Sequence, residues 1–368
     1  MLTGQNGILN RAAEAKEKTE EAQKRENETL NEYEKTFNKY MSNLPSTKYT
    51  IPYLPDTNKF ERVDGTDLST GLVIKEKTTG SEYVWVEVPK TREVYKNAGL
   101  DISTFGENEC NLIEKDLQDY TSEYRTQTNF KDEFFEDTSE GWFKNANEYN
   151  NAKYKMIKSV YENGGFWVGR YEAGIEKNRT EPGEAVSIPL SKENIYPYNY
   201  ITRTQAKVLS EKVESGSYIS SLLFGLQWDL IMGFIHNRGN VENEVINGVE
   251  KSKLMGNYVD NLYNINNEKA KYSLDLGQTF SKCPFEKKLN SSVLLTTGAN
   301  ESFSQVNLYD VAGNVFEWTL ENNNDNKSSC AYRGGNYINI GGNFSASSRN
   351  SFSINSSFDG VGFRVSIY

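Results

Sequence analysis

Hydrophobic and polar positions change rhythm along this chain, and each change marks an element. Residues 8 to about 43 hold helix formers without Pro or Gly, and Leu30, Tyr33, Phe37 and Met41 recur at three and four residues. That spacing predicts one long helix with a narrow apolar stripe. Pro45, Pro52 and Pro55 then predict a linker over residues 44–59. From Phe60 the period drops to two. Residues 71–74 and 83–88 flank Thr78-Thr79-Gly80 and predict a hairpin. Residues 91–144 are polar and are expected to form an irregular insertion. Tyr154, Ile157, Val160 and Tyr161 share one side of a helix expected over 145–163, which Gly164-Gly165 ends. Residues 165–172 read as a strand. Thr202 and Gln205 have the spacing of a capping box, opening a helix whose Val208, Leu209 and Val213 face a core. A buried helix is expected over 222–235, around Trp228. At the end Phe363 and Val365 alternate with Arg364 and Ser366, as in a half-buried final strand. Helices embedded among short strands and long loops give an α+β domain with much irregular structure, residues 60–368, behind a helical segment, residues 1–43.

The C-terminal sixty residues break this pattern. NLYDVAGNVFEWT (Asn307 to Thr319) and CAYRGG (Cys330 to Gly335) precede a tract from Asn336 to Val361, and GFRVSIY closes the chain. The tract is Asn, Ser, Gly, Ile, Tyr and Phe, with only Arg349 and Asp359 charged. Paratope surfaces favour this mixture. Aromatic rings give contact area for few rotatable bonds, and small polar side chains adapt their hydrogen bonds. Omitting Lys and Glu removes side chains that lose much entropy when immobilised. The tract therefore reads as a contact surface. Its aromatic anchors are Tyr337, Phe344, Phe352 and Phe358. Its polar contacts are Asn339, Asn343, Asn350, Ser351, Ser353, Asn355, Ser356, Ser357 and Asp359, and Ile340 and Ile354 add apolar area. Ala346, Arg349 and Gly360 are expected to serve the scaffold. A polar loop that merely closes the domain would share the asparagine content, and a fixed glycan- or protein-binding site is the other alternative.

Composition narrows the function. A formal net charge of -10, with no basic run, argues against nucleic acid. Cys110, Cys283 and Cys330 lie far apart, so neither a disulfide framework nor a zinc site is indicated. No stretch approaches a membrane span, and no basic-then-apolar signal opens the chain. The one histidine, His236, leaves no Ser-His-Asp option beyond itself.

Two resemblances add to this. Residues 2–23, LTGQNGILNRAAEAKEKTEEAQ, resemble the stretch that follows the hydrophobic N-terminal helix of bacterial type IV pilin-like proteins. That resemblance implies an upstream membrane-spanning helix, packing with other pilin subunits, and display on a bacterial surface or pilus. The succession FWVGRYEAG, capped helix, LQWDLIMGFI, LYDVAGNVFEW, YRGG, GFR resembles the formylglycine-generating enzyme/sulfatase-modifying family. It implies a C-type-lectin-like fold over 60–368, with Asn314, Glu317, Trp318, Arg333, Gly334, Gly335, Gly362, Phe363 and Arg364 as scaffold motif. Glu317 is expected to pair with Arg333 or Arg364.

Oxidising members of that family carry cysteines just after RGG, and related iron enzymes use histidine ligands. Residues 336–344 hold no cysteine, so a non-enzyme requiring no cofactor is expected, with an oxidoreductase as the alternative. Calcium binding near the motif in family members makes Asn314 and Glu317 calcium candidates. The same fold occurs in the variable proteins of diversity-generating retroelements, and the tract resembles their variable region. Rewriting Asn codons at adenines reaches Ser, Tyr, Ile, Phe, Asp and Gly but never Lys, Glu, Gln, Met or Trp, and none of these five occurs from 336 to 361. The resemblance implies a diversified surface for a protein or glycan on another cell or phage.

Overall fold

The computed structural model describes residues 51–248, 252–324 and 329–368, together with Lys16, Lys18, Thr19, Glu21, Gln23 and Lys24, which are helical. The rest of the expected N-terminal helix and the start of the linker lie outside the described residues. The chain divides into two compact units, Met1–Tyr49 and Thr50–Tyr368. Among the described residues no helix is long and apolar enough to cross a membrane.

The larger unit is a mixed α+β structure. Its main strands, in chain order, are β1 (Phe60–Arg62), β2 (Val73–Glu76), β3 (Glu82–Glu87), β4 (Phe130–Lys131), β5 (Gly165–Gly169), β6 (Ser220–Leu222), β7 (Tyr263–Ile265), β8 (Phe285–Lys287), β9 (Phe316–Asn323), β10 (Cys330–Arg333), β11 (Arg349–Phe352), β12 (Val361–Phe363) and β13 (Val365–Ile367). Its main helices are α1 (Glu107–Tyr120), α2 (Ala146–Asn163), α3 (Arg203–Ser210) and α4 (Gly225–Gly239).

A six-stranded sheet runs β1-β2-β3-β5-β13-β6. One face buries Val73, Val84, Val86 and Val168 in the core that α2 and α4 share. The other buries Phe60, Leu72, Ile74, Tyr83, Trp85, Trp167 and Ile367. Tyr53 closes this second face. It stacks on Tyr218 at 3.8 Å, and its hydroxyl donates to Ile367 O at 2.9 Å. Residues 51–55, expected as linker, are thus part of the domain, because Pro52, Tyr53 and Pro55 supply apolar surface that prolines alone do not reveal. Full burial of one such large apolar side chain contributes roughly 1.5–3 kcal/mol.

Local capping signals translate directly. The Thr202 hydroxyl accepts from Gln205 N at 3.2 Å, and the Gln205 carboxamide accepts from Thr202 N at 3.0 Å, closing the capping box of α3. Asn145 caps α2, and Gly164 at φ 70 ends it.

Three expectations are corrected. Residues 91–144 are not all irregular, since Cys110, Ile113 and Leu117 form a buried stripe along α1. The buried helix begins at Gly225, because Ser220–Leu222 pair with β13 instead. The final strand is two strands, both buried. β12 lies parallel to β9 in a second sheet, ordered β11-β10-β9-β12, while β13 joins the first.

Candidate functional site

The second sheet carries both ends of the tract. Register places Glu317 beside Arg333 on one side and Gly362 on the other. Of the two arginines offered by the sequence, Arg364 takes Glu317. Its Nη2 lies 2.7 Å from Oε1 and its Nε 3.0 Å from Oε2, a two-pronged pair. Arg364 also donates to Gly169 O and Tyr309 O, both at 2.8 Å, tying the crossover between β12 and β13 to the first sheet.

Arg333 turns the other way. It meets Asp229 of α4 at 2.7 Å and Glu321 at 3.2 Å, and donates to Ser348 O at 3.1 Å. Arg349, from within the tract, bonds Glu321 at 2.8 Å and also Asp229, which Arg125 reaches as well. Burial alone would raise the Asp229 pKa, but Arg349, Arg333 and Arg125 outweigh it and hold the carboxyl below its ordinary value.

The Gly-Asn turn is left-handed, with φ 75 at Gly313 and φ 56 at Asn314. A Cβ on Gly313 would sit 2.2 Å from Asn257 O, so only glycine fits. The Asn314 carboxamide donates to Glu172 at 2.7 Å and accepts from Asn257 Nδ2 at 3.0 Å and Leu295 N at 3.1 Å. The two calcium candidates, Asn314 and Glu317, are therefore engaged by protein partners. Trp318 is buried and donates to Ile201 O at 2.9 Å. Gly334 and Gly335 hold φ 86 and 78, and the Tyr258 hydroxyl bridges Gly334 O and Phe344 O at 2.7 and 2.8 Å.

Between these ends the tract alternates buried and open positions. Tyr337, expected as an exposed anchor, is 1% exposed and packs with Leu294 and Val315. Its hydroxyl donates to the Asp359 carboxylate, and burial together with that charge pushes it far above the ordinary tyrosine value. Asn336 is also buried and bonds Gly360 O at 3.2 Å. Ser345, Ala346, Ser347, Arg349 and Gly360 are buried, and Ala346 O accepts from Trp228 Nε1 at 3.0 Å.

The open positions are Ile338 at 41% and Ile340 at 50%, with Asn343, Ser353 and Asn355 also exposed. Asn339, Phe344, Asn350, Ser351, Phe352, Ile354, Ser356, Ser357, Phe358 and Asp359 are half-buried. Asn339 Oδ1 and Ser357 Oγ are buried without a protein partner.

The half-buried aromatics form a continuous chain. Tyr332 lies 4.2 Å from Phe316 and stacks on Phe352 at 4.7 Å; Phe352 meets Phe358 edge-on at 5.1 Å, and Phe316 meets Phe344 at 5.8 Å. Tract rings thus rest on Phe316 and Tyr332, which stand outside the tract. The sequence reading missed Ile338 and Tyr332. The two-residue alternation of β10 would have set Tyr332 on the face opposite Arg333.

A neighbouring loop completes the surface. Val259 N donates to Asn339 O at 2.9 Å, and Gly341 N donates to Asp260 Oδ1 at 3.0 Å. Lys253, Leu254, Asp260, Leu262 and Leu289 line a cavity of about 260 Å³ at this loop. The three cysteines are all buried and free, outside the tract. His236 lies in the last turn of α4, its Nδ1 2.8 Å from Val241 O.

Residues 252–367 match the family model described as sulfatase-modifying factor enzyme 1-like domain. No curated protein matches the chain. Solved structures are similar over part of it, two of them as follows. One is a crystal structure of CarF, with a TM-score of 0.29 and 14% identity, covering 55% of this chain and 85% of that one. The other is Treponema denticola variable protein 1, with a TM-score of 0.30 and 14% identity, covering 55% of this chain and 84% of that one.

Proposed function

We propose that this chain is a non-catalytic, surface- or pilus-displayed binding protein whose tract 336–361 is a diversified contact surface on a C-type-lectin-like scaffold. The observation that carries the reading is the contrast between ends and interior. Arg333 and Arg364 hold the borders and Arg349 pins the middle through buried ion pairs, while Ile338, Ile340, Asn343, Ser353 and Asn355 stand in solvent with no role in that framework. Side chains that the fold does not need are free to change. The half-buried rings beneath them supply stiff apolar area at little entropic cost. The thiols support the non-catalytic reading, because burial raises the pKa of Cys110, Cys283 and Cys330 away from the reactive thiolate.

The test needs no knowledge of the natural ligand. A display library randomised at Ile338, Ile340, Asn343, Ser353 and Asn355 should fold as the parent does. Selection against a fixed protein such as lysozyme should then yield binders. A library that mostly unfolds, or folds and never yields binders, sinks the reading. Diversification has its own test in the source genome: a near-copy of the segment encoding 336–361, differing at adenines and lying beside a reverse transcriptase, is expected.

A further inference from the structure

Lys287 is 1% exposed at the end of β8, yet no carboxylate pairs with it among the described residues. Its Nζ instead donates to three backbone carbonyls: Asn261 O at 2.8 Å, Val259 O at 3.1 Å and Lys288 O at 3.4 Å. An ammonium has three donors and no acceptor, so the charged form satisfies all three carbonyls and the neutral amine does not. Two of those carbonyls belong to the loop that holds the first half of the tract. Val259 N bonds Asn339 O, and the Asp260 carboxylate accepts from Gly341 N. Asn261 Nδ2 ties the same loop back to Lys253 O and Gly256 O. A Cβ on Gly341 would lie 2.8 Å from Lys253 N, so tract and loop are in close contact.

We propose that Lys287 is a positioning residue for the first half of the tract: its buried ammonium gathers the carbonyls of Val259 and Asn261 and so fixes the loop that sets where Ile338, Asn339 and Ile340 are displayed. The consequence for binding rests on the reading of the tract as a contact surface, while the positioning itself does not. Lys287 lies outside the tract and would give every tract sequence the same base. The charges around it are few. Asp260 faces it and is in turn 3.9 Å from Lys253; the Tyr263 ring lies 5.5 Å from Nζ; Lys288 and Glu286, beside it in sequence, are 80% and 73% exposed.

Burial lowers the Lys287 pKa to about 8, opposed by Asp260. Local opening would return the ammonium to water, where its pKa is ordinary. At pH 7, below both values, the amine keeps its proton and the three donors that the carbonyls accept.

The experiment is amide exchange by NMR on the whole chain, corrected for intrinsic rates. In the parent at pH 7 the Val259 and Gly341 amides should be protected. In Lys287→Met, which removes all three donors, the same amides should exchange about tenfold faster or more at pH 7, while amides of β9 and β10 keep the parental rates. A variant whose Val259 and Gly341 amides match the parent overturns the proposal. Where Lys287→Met does not fold, Lys287→Gln, which keeps an amide donor but no charge, should show the same selective loss in smaller measure, and unchanged Val259 and Gly341 rates there overturn the proposal. No ligand enters the measurement, so its failure is distinct from failure of the binding reading.

Discussion

Tyr337 shows how one side chain can be read correctly in composition and wrongly in place. Sequence made it an anchor because tyrosine suits contact surfaces. The fold instead uses it as a post between Leu294 and Val315, with Asp359 accepting its hydroxyl. No local signal separates it from Phe344 or Phe352, because burial here depends on contacts far along the chain. The two kinds of position should respond differently to truncation. Tyr337→Ser should cost about 3–5 kcal/mol, as large-to-small changes in a core do. Ile340→Ser, at a half-exposed position, should stay within about 0.5 kcal/mol. Urea unfolding measures both. Equal costs would mean that the tract has no buried and open classes.

At the scale of elements, α4 and the second sheet are joined by charge as well as by apolar contact. Asp229 receives Arg333 at 2.7 Å and is also bonded by Arg349 and Arg125, and Glu321 lies 2.8 Å from Arg349 and 3.2 Å from Arg333. Removing the central charge leaves Arg333 and Arg349 sharing Glu321 and takes from Arg125 the carboxylate it bonds. Asp229→Asn should therefore destabilise by about 3–5 kcal/mol. Lys115→Ala, which breaks an exposed pair with Asp119, should cost under about 0.5 kcal/mol. Because the Asp229 pKa is depressed, its contribution is present above the unfolded value and is lost as pH falls through the folded one.

Of this network the sequence offered only Arg333 and Arg349 as scaffold residues, and neither of their carboxylate partners here. Helix starts were legible because a cap is a contact three residues long, as at Thr202 and Asn145. The division of the final strand was not legible, because Arg364 crosses from one sheet to the other and every residue on both sides of it is buried. Alternation vanishes where both faces are covered.

For the whole molecule, the GNVFEW end is where stability and pH meet. Glu172, Asp310 and Glu317 are all buried, with Arg364 the cation among them. Burial raises the Glu172 pKa, and Asp310 and Glu317 raise it further. Burial likewise lifts Asp310 to about 6, with Gly298 N–H and Arg364 opposing. Far away, burial at the start of α4 lifts Asp132 to about 6, with Glu321 adding to it. A carboxyl whose folded pKa exceeds its unfolded value holds its proton more tightly when folded. Its effect on stability is absent below the unfolded pKa, near 4, and becomes a full cost above the folded one. Stability should thus fall as pH rises from about 4 to 6. This opposes the usual acid loss from Asp229. Asp310→Asn isolates the effect. Asparagine tolerates the φ of 56 at this position and keeps an acceptor for Gly298 N, which lies 2.7 Å from Oδ2. The variant should match the parent in Tm near pH 4, exceed it at pH 7.5, and flatten the slope between. A variant less stable than the parent at pH 7.5 would show that the Asp310 charge is held by Arg364 at a net gain, and that the molecule tolerates three buried carboxylates there without strain.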